Sequence, residues 1–177
     1  MIQRDSGFVY ISDTRCGPMS HASLKTAEEA SGTLVSVVRN NALAIAEKQQ
    51  KELIIIDGPP GIGYPVFSSI QAVDLILIVT EPTLSAFQDL KRIINVSTHF
   101  HIPAVCCINK YDINQKNTQE IISYCTKNSI DVIGKIPFDL VTNEAMIHQK
   151  SIVEFSKSEI SDSIKEMWNK IHTRLAL

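Results

Sequence analysis

The sequence lacks several features that would define its class at once. No apolar run approaches the roughly 20 residues that a membrane-spanning helix needs, and the 177 residues contain no CxxC pair and no signal-peptide pattern. Positive and negative side chains nearly balance, at 17 Lys+Arg against 19 Asp+Glu. The near-neutral charge offers no electrostatic surface for nucleic acid or for an anionic membrane. A small-molecule or protein partner is therefore expected.

Cysteine is also scarce, with Cys16, Cys106, Cys107 and Cys125 as the whole set. Cys106 and Cys107 are adjacent within an apolar run, so on a strand they point to opposite faces and act as small buried apolar residues. Isolated, unpaired cysteines are typical of a reducing compartment, which predicts a cytoplasmic protein. A metal site built from these thiols is the alternative.

What the chain does contain is a regular alternation of β-rich runs and amphipathic segments. The predicted strands are FVYIS, LIIID, DLILIVT, AVCCIN and DVIGKIP, and the segments between and after them have helical periodicity. Strands that alternate with helices predict an α/β fold, with a mainly parallel sheet and helices on both faces. No repeat or linker interrupts the pattern, so residues 1–177 are predicted to form a single domain.

Ligands of such sheets bind beyond the carboxyl ends of the strands, and there the first candidate is DGPPG. Asp57 ends an apolar run, in the position from which an acid holds Mg²⁺ beside the phosphates of a nucleotide. Gly58 and Gly61 would let backbone N–H groups approach a phosphate without a side chain in the way. The alternative is an ordinary turn in which Asp57 only accepts local hydrogen bonds.

The second candidate is INKYD, which follows the AVCC run. Asn109 can bond the Hoogsteen edge of a purine, the stem of Lys110 can lie along the ring, and Asp112 can accept from the ring N–H and amino group of guanine. An accidental polar turn is the competing interpretation. Within IPFD, Pro137 fixes the backbone and Asp139 either contacts the ligand or caps the next helix.

Taken in chain order, DGPPG, AVDLILIVTEPT, Asn109 and IPFD resemble the MinD/ParA/Mrp-type ATPases, the deviant Walker A class of P-loop proteins. The resemblance extends to the branch with an inserted ferredoxin domain, because TRCGPMSHASLKTAEEASGTLVSVVR is similar to the segment after that insertion. It implies a P-loop NTPase-like three-layer fold that binds ATP and Mg²⁺. Asp57 would hold the metal and the Gly61 amide would sense the γ-phosphate. The implied nucleotide contacts are Gly58, Pro59, Asn109, Lys110, Asp112, Pro137 and Asp139.

The sequence departs from this family in informative ways. It contains no GxxxxGK[ST] motif, and its only Gly-rich corner is the one at Gly58. Tyr64 stands where the insertion-bearing branch often has a cysteine, and no cluster-binding cysteine set is present. The chain is therefore expected to be the C-terminal part of a MinD-like domain, without the N-terminal P-loop strand. We expect little or no hydrolysis by it alone, no iron–sulfur cluster on it, and open strand edges that favour a homodimer or a protein partner.

Three functions remain open on these residues. The first is an ATPase fragment that becomes a nucleoside-triphosphate hydrolase when a Walker A segment completes it. The second is a GTP-binding module that uses NKxD. The third is a degenerate, non-enzymatic domain that uses the former nucleotide edge for protein contacts.

Overall fold

The computed structural model describes residues 7–24, 32–59, 61 and 63–177. Pro60 of the DGPPG motif and residues 25–31 of the segment that resembles the post-insertion sequence lie outside the described residues. Contacts divide the chain into two compact units, Met1–Gln71 and Ala72–Leu177. The prediction of a single domain stays a prediction.

The first unit contains a β-hairpin and two helices. Strands β1 (Gly7–Thr14) and β2 (Gly17–Leu24) pair antiparallel, and helices α1 (Gly32–Gln49) and α2 (Tyr64–Ile70) follow. The hairpin turns through Arg15 and Cys16, after which Gly17 adopts a φ of +127° that side chains rarely tolerate. The sequence predicted β1 but not its partner, because this turn lacks the Asn-Gly or Asp-Gly signal of two-residue hairpins.

The prediction of a buried strand at LIIID is wrong. Residues 53–56 belong to no strand among the described residues, and the side chain of Ile55 is 77% exposed. A strand exists only where a neighbouring backbone takes up its N–H and C=O groups. An apolar, β-branched composition gives the propensity for a strand but cannot supply that neighbour.

The second unit is built on a three-stranded parallel sheet of order β3-β4-β5. Its strands are β3 (Ile76–Thr80), β4 (Ala104–Asn109) and β5 (Asp131–Ile136). The helices are α3 (Leu84–His99), α4 (Gln115–Lys127), α5 (Val141–Ile147), α6 (Ile152–Phe155) and α7 (Glu159–Leu175). Within the described part of the chain, no helix is both long and apolar enough to cross a bilayer.

Helices cover both faces of this sheet, as the two adjacent cysteines of β4 demonstrate. Cys106 and Cys125 of α4 are both fully buried, and the thiol of each shifts the pKa of the other. Cys107 Sγ and Met167 Sδ of α7 lie 3.2 and 2.9 Å from the position that a Cβ on Gly134 would take. Because successive residues of a strand face opposite sides, α4 and α7 lie on opposite faces. The predicted α/β fold with a mainly parallel, two-sided sheet is confirmed.

Cys106 and Cys107 lie in the core, and their thiols are unreactive. Cys106, Cys107 and Cys125 are fully buried, whereas Cys16 is exposed. Burial raises the pKa of the Cys107 thiol to about 11. Interaction with the Cys125 thiol, together with burial, raises the pKa of Cys106, and the same interaction lowers the pKa of Cys125. Thiols with raised pKa values stay protonated near neutral pH, so they are poor nucleophiles and poor metal ligands.

Candidate functional site

The phosphate-side candidates lie together in the first unit, between residue 56 and the start of α2. Asp57, Gly58 and Gly61 are exposed and Pro59 is half-buried. Gly61 has a φ of +90°, in which a larger residue would be strained, and nothing lies within 4 Å of the position of its missing Cβ. Among the described residues, the loop therefore offers an exposed carboxylate beside an exposed stretch of backbone.

The base-side candidates lie in the second unit, at the carboxyl end of the sheet. The side-chain oxygen of Asn109 accepts the N–H of Lys110 at 3.1 Å. Lys110 has a φ of +51°, in the left-handed region that non-glycine residues rarely enter. Its Nζ lies 3.4 Å from Oε2 of Glu81, which follows β3. Residues held in such conformations cluster at functional sites.

Asp112 ties two loops of this edge together. Its Oδ1 accepts the backbone N–H of Phe138 at 2.8 Å, and the N–H of Tyr111 donates to the carbonyl of Ile136 at 3.2 Å. One oxygen of the carboxylate that NKxD would offer to guanine is thus occupied by the loop after β5. This arrangement places INKYD beside IPFD.

Asp139 has a local role of its own. Its Oδ1 accepts the N–H of Val141, the first residue of α5, at 3.0 Å. This bond closes a local turn before the helix, since the N-cap position is Leu140, which makes no side-chain cap bond. The alternative of Asp139 as the N-cap is therefore wrong, because Asp139 lies one residue before that position. Pro137, immediately before this loop, is half-buried. The predicted ligand contacts of Pro137 and Asp139 remain predictions.

The start of α4 braces the same edge through two side chains that the sequence did not single out. Asn117 Nδ2 donates to the carbonyl of Pro82 at 2.9 Å, and Thr118 Oγ1 donates to the carbonyl of Tyr111 at 2.6 Å. The two bonds fix the loops after β3 and β4 on one helix end. Polar residues in the first turn of a helix that follows a candidate loop were the signal available for finding them.

A resident metal centre is not built into either group. Across residues 7–24, 32–59, 61 and 63–177, no three His, Cys, Asp or Glu side chains are placed to hold a metal ion. Mg²⁺ in nucleotide sites needs only one or two carboxylates, since phosphates and water complete its shell. A single exposed Asp57 fits a metal that arrives with its nucleotide.

Comparison with known proteins identifies relatives over almost the whole chain. A family model described as ParA, NUBPL iron-transfer P-loop NTPase, matches residues 19–172. An uncharacterised protein of Methanocaldococcus jannaschii is 34% identical over 170 residues, which cover 96% of this chain and 56% of that protein. An iron-sulfur cluster carrier protein of Pyrococcus horikoshii is 27% identical over 158 residues, 81% of this chain and 53% of the carrier. The chain thus spans about half the length of the curated relatives it matches.

Solved structures agree on the fold. The cell division ATPase MinD of Pyrococcus furiosus superposes with a TM-score of 0.64 at 16% identity, over 81% of this chain and 59% of that one. A chain of the MinC:MinD cell division protein complex of Aquifex aeolicus gives 0.67 at 17% identity, over 92% and 66%. Since the family model covers most of the sequence, the chain belongs to the ParA family of MinD/ParA-type P-loop NTPases.

Proposed function

We propose that this chain supplies the Mg²⁺-side and base-side segments of an ATP-hydrolysing MinD/ParA-type domain. The observation that carries the proposal is the exposed Asp57 carboxylate, followed by Gly58 and by Gly61 at a φ of +90°. An acid next to an uncovered backbone is what a nucleotide phosphate with its metal requires. Membership of a P-loop NTPase family supports the same function.

Each phosphate-side residue has a defined role in this proposal. Asp57 holds Mg²⁺ directly or through a water molecule, and the Gly61 amide donates to the γ-phosphate. Gly58 and Pro59 shape the backbone between them. Bound Mg²⁺ neutralises charge on the phosphate oxygens, while the protein's own contribution is positioning.

The base-side segment favours adenine over guanine. Guanine recognition by NKxD uses the Asp112 carboxylate for both the ring N–H and the amino group, yet Oδ1 already accepts the N–H of Phe138. Asn109 and Lys110 remain to contact the purine, with Pro137 and Asp139 beside them. In the GTP-binding alternative, Oδ1 would have to accept a second hydrogen bond beside the one from Phe138, or Oδ2 would have to accept both guanine donors.

Asp112→Asn tests this selectivity. Asparagine keeps an acceptor for the Phe138 N–H, so we expect ATP affinity within about twofold of wild type and an unchanged ATP-to-GTP ratio. Binding should be measured by calorimetry on the chain fused to a Walker A segment. A loss of roughly tenfold or more in GTP affinity alone, about the 1.4 kcal/mol that a lost hydrogen bond to a charged group can represent, would favour the GTP-binding alternative.

Hydrolysis requires groups that this sequence does not contain. A Walker A loop supplies the lysine and the backbone N–H groups that grip the β- and γ-phosphates, and no GxxxxGK[ST] occurs among the 177 residues. We propose that a separate strand–loop–helix segment with a GKGGxGKT-like motif completes the site.

The test compares this chain alone with the same chain fused to such a segment. We expect Mg²⁺-dependent phosphate release from the fusion and little or none from the chain alone. Equal turnover by both proteins would refute the role assigned to Walker A. A fusion that is folded by circular dichroism but binds no ATP in calorimetry would refute the ATPase proposal and favour the degenerate domain.

A docking role for the base-side edge is the second candidate, and exposed apolar side chains favour it. Phe138 and Leu140 before α5, and Met146 and Ile147 at its end, are 51 to 79% exposed. Large apolar side chains exposed along one segment are candidates for a contact surface. A homodimer or a protein partner is proposed here, and a molar mass of one chain by light scattering, with and without ATP, would exclude the homodimer.

The client of the complete protein is proposed to be an iron–sulfur cluster or its metal. The family model is described as an iron-transfer NTPase, and relatives include iron-sulfur cluster carrier proteins. We propose that the cluster is not carried on this chain, because three of its four thiols are buried in the core of the second unit.

A further inference from the structure

Helix α2 begins directly after the loop that carries Asp57 and Gly61, so the position of α2 determines where that loop ends. N–H groups of the first turn, at Val66 and Phe67, donate to the carbonyl of Gly63 at 3.0 and 3.3 Å. A Cβ placed on Gly58 would lie 3.4 Å from the hydroxyl oxygen of Ser69, which is therefore the loop's neighbour. Gly63 thus lies at the start of α2, and Gly58 lies beside its last turn.

Both ends of α2 are held by α1. At the start of α2, Gly32 is packed so closely that a Cβ there would lie 2.1 Å from Cδ1 of Tyr64 and 2.6 Å from the hydroxyl oxygen of Ser68. At its end, Arg39 donates from Nη1 to the carbonyl of Ser68 at 2.7 Å and from Nη2 to the carbonyl of Gln71. These contacts span the whole helix.

The Arg39 contact suits a helix of only seven residues. The last carbonyls of any helix have no partner within it, and a cation at that end also meets the negative pole of the helix dipole. The planar fork of a guanidinium bonds two carbonyls at once, which an ammonium group on lysine cannot do with the same geometry. The Nε atom of Arg39 is buried and has no hydrogen-bond partner among the described residues, so the two bonds from the terminal nitrogens are the ones that hold the guanidinium there.

We propose that Arg39 is a positioning residue for the loop of Asp57 and Gly61, acting through the carboxyl end of α2. Arg39 touches neither phosphate nor metal in this role. It fixes the helix on which the loop ends, so that the Asp57 carboxylate and the Gly61 amide keep the spacing that a γ-phosphate with its metal demands. The consequence for hydrolysis rests on the proposed ATPase function, whereas the consequence for structure does not.

Hydrogen exchange of the full chain tests the structural part directly. In Arg39→Gln we expect the amides of α2 to exchange about tenfold faster or more, the scale set by losing a hydrogen bond from a charged group, while the amides of β4 exchange as in wild type. Arg39→Lys should give an intermediate rate, because one carbonyl keeps a cationic donor. Arg92→Gln is the matched control: this exposed arginine pairs with Asp89 on the surface of α3, and its loss should leave α2 unchanged.

Steady-state hydrolysis by the Walker A fusion tests the catalytic part. Misplaced reacting groups lower kcat by one to two orders of magnitude, so we expect Arg39→Gln to reduce kcat roughly tenfold or more with KM for ATP nearly unchanged. Wild-type exchange rates in α2 of Arg39→Gln, or wild-type kcat in the presence of faster exchange, would overturn the proposal. If the wild-type fusion does not hydrolyse ATP, the proposed function fails and the exchange rates alone decide the role of Arg39. If Arg39→Gln does not fold, Arg39→Lys decides by the same two readouts.

Discussion

Asp57→Asn is expected to lower Mg²⁺-dependent ATP hydrolysis by the Walker A fusion roughly 10²- to 10³-fold, the range found when one electrostatic group is removed from a preorganised site. Asparagine has nearly the same size and keeps one oxygen, but it loses the negative charge that attracts Mg²⁺. Asp57 is exposed, so the substitution should leave the fold intact. The measurement is phosphate release across a series of Mg²⁺ concentrations, on wild type and variant together.

Asp89→Asn is the control for this substitution. It removes the same charge from an exposed aspartate whose partner is Arg92, 3.3 Å away on α3, and turnover should stay within about twofold. Partial recovery of Asp57→Asn at high Mg²⁺ would agree with a weakened metal contact. Equal turnover by Asp57→Asn and wild type at every Mg²⁺ concentration would show that Asp57 is a turn residue, as the alternative interpretation of DGPPG holds.

The sequence predicted the second unit well because its signals there are local. AVCCIN is the strand Ala104–Asn109, and Cys106 and Cys107 face opposite sides of it. Helix α3 follows Thr83, a residue type that favours the N-cap position, and the side-chain oxygen of Thr83 accepts the N–H of Ala86 at 3.2 Å. Alternation of apolar residues and capping chemistry act over a few residues, so one sequence is enough to read them.

The errors and omissions involve partners that lie far away in the sequence. Residues 53–56 have a strand's composition but no strand pairing among the residues described. Arg39 is 29 residues from Ser68, and Asp112 is 26 residues from Phe138. The periodicity of apolar residues along the chain does not predict such long-range contacts. Helix α6 was also missed, although its signal was local. Ser151 and Glu154 form a capping box, which follows the S-x-x-E pattern in the sequence.

The site residues divide along the same line. The loop glycines and Asp57 were singled out from residue type and from their place after an apolar run, and their role stays a prediction. The bond between Asp112 and Phe138 was not predicted. It bears directly on the NKxD hypothesis, because Phe138 lies outside the motif and uses an acceptor that guanine would need. A four-residue pattern specifies which hydrogen bonds a side chain is able to accept, whereas the fold determines which donors lie within reach of it.

Ile121→Ala is expected to destabilise the chain by about 2–5 kcal/mol, the usual cost of emptying a buried isoleucine site. Ile121 lies on α4 and is fully buried, so a cavity remains that the rigid sheet beneath cannot fill. Urea unfolding followed by circular dichroism measures the change. Ile147→Ala is the matched control, since Ile147 is 79% exposed and surface substitutions usually stay within about 0.5 kcal/mol. If Ile121→Ala lowers the free energy of unfolding no more than Ile147→Ala does, α4 is not part of the core.

The same substitution should also reach the base-side edge. Asn117 and Thr118 begin α4 and hold the carbonyls of Pro82 and Tyr111, so a looser helix releases the loops after β3 and β4 together. We therefore expect Ile121→Ala to weaken ATP binding by the fusion more than Ile147→Ala does. Both affinities should be measured well below the unfolding temperatures of the two variants. Unchanged affinity in a destabilised Ile121→Ala protein would separate the stability of α4 from the order of those loops. Asn109 and Lys110 would then be positioned by β4 and by the contact of Lys110 with Glu81.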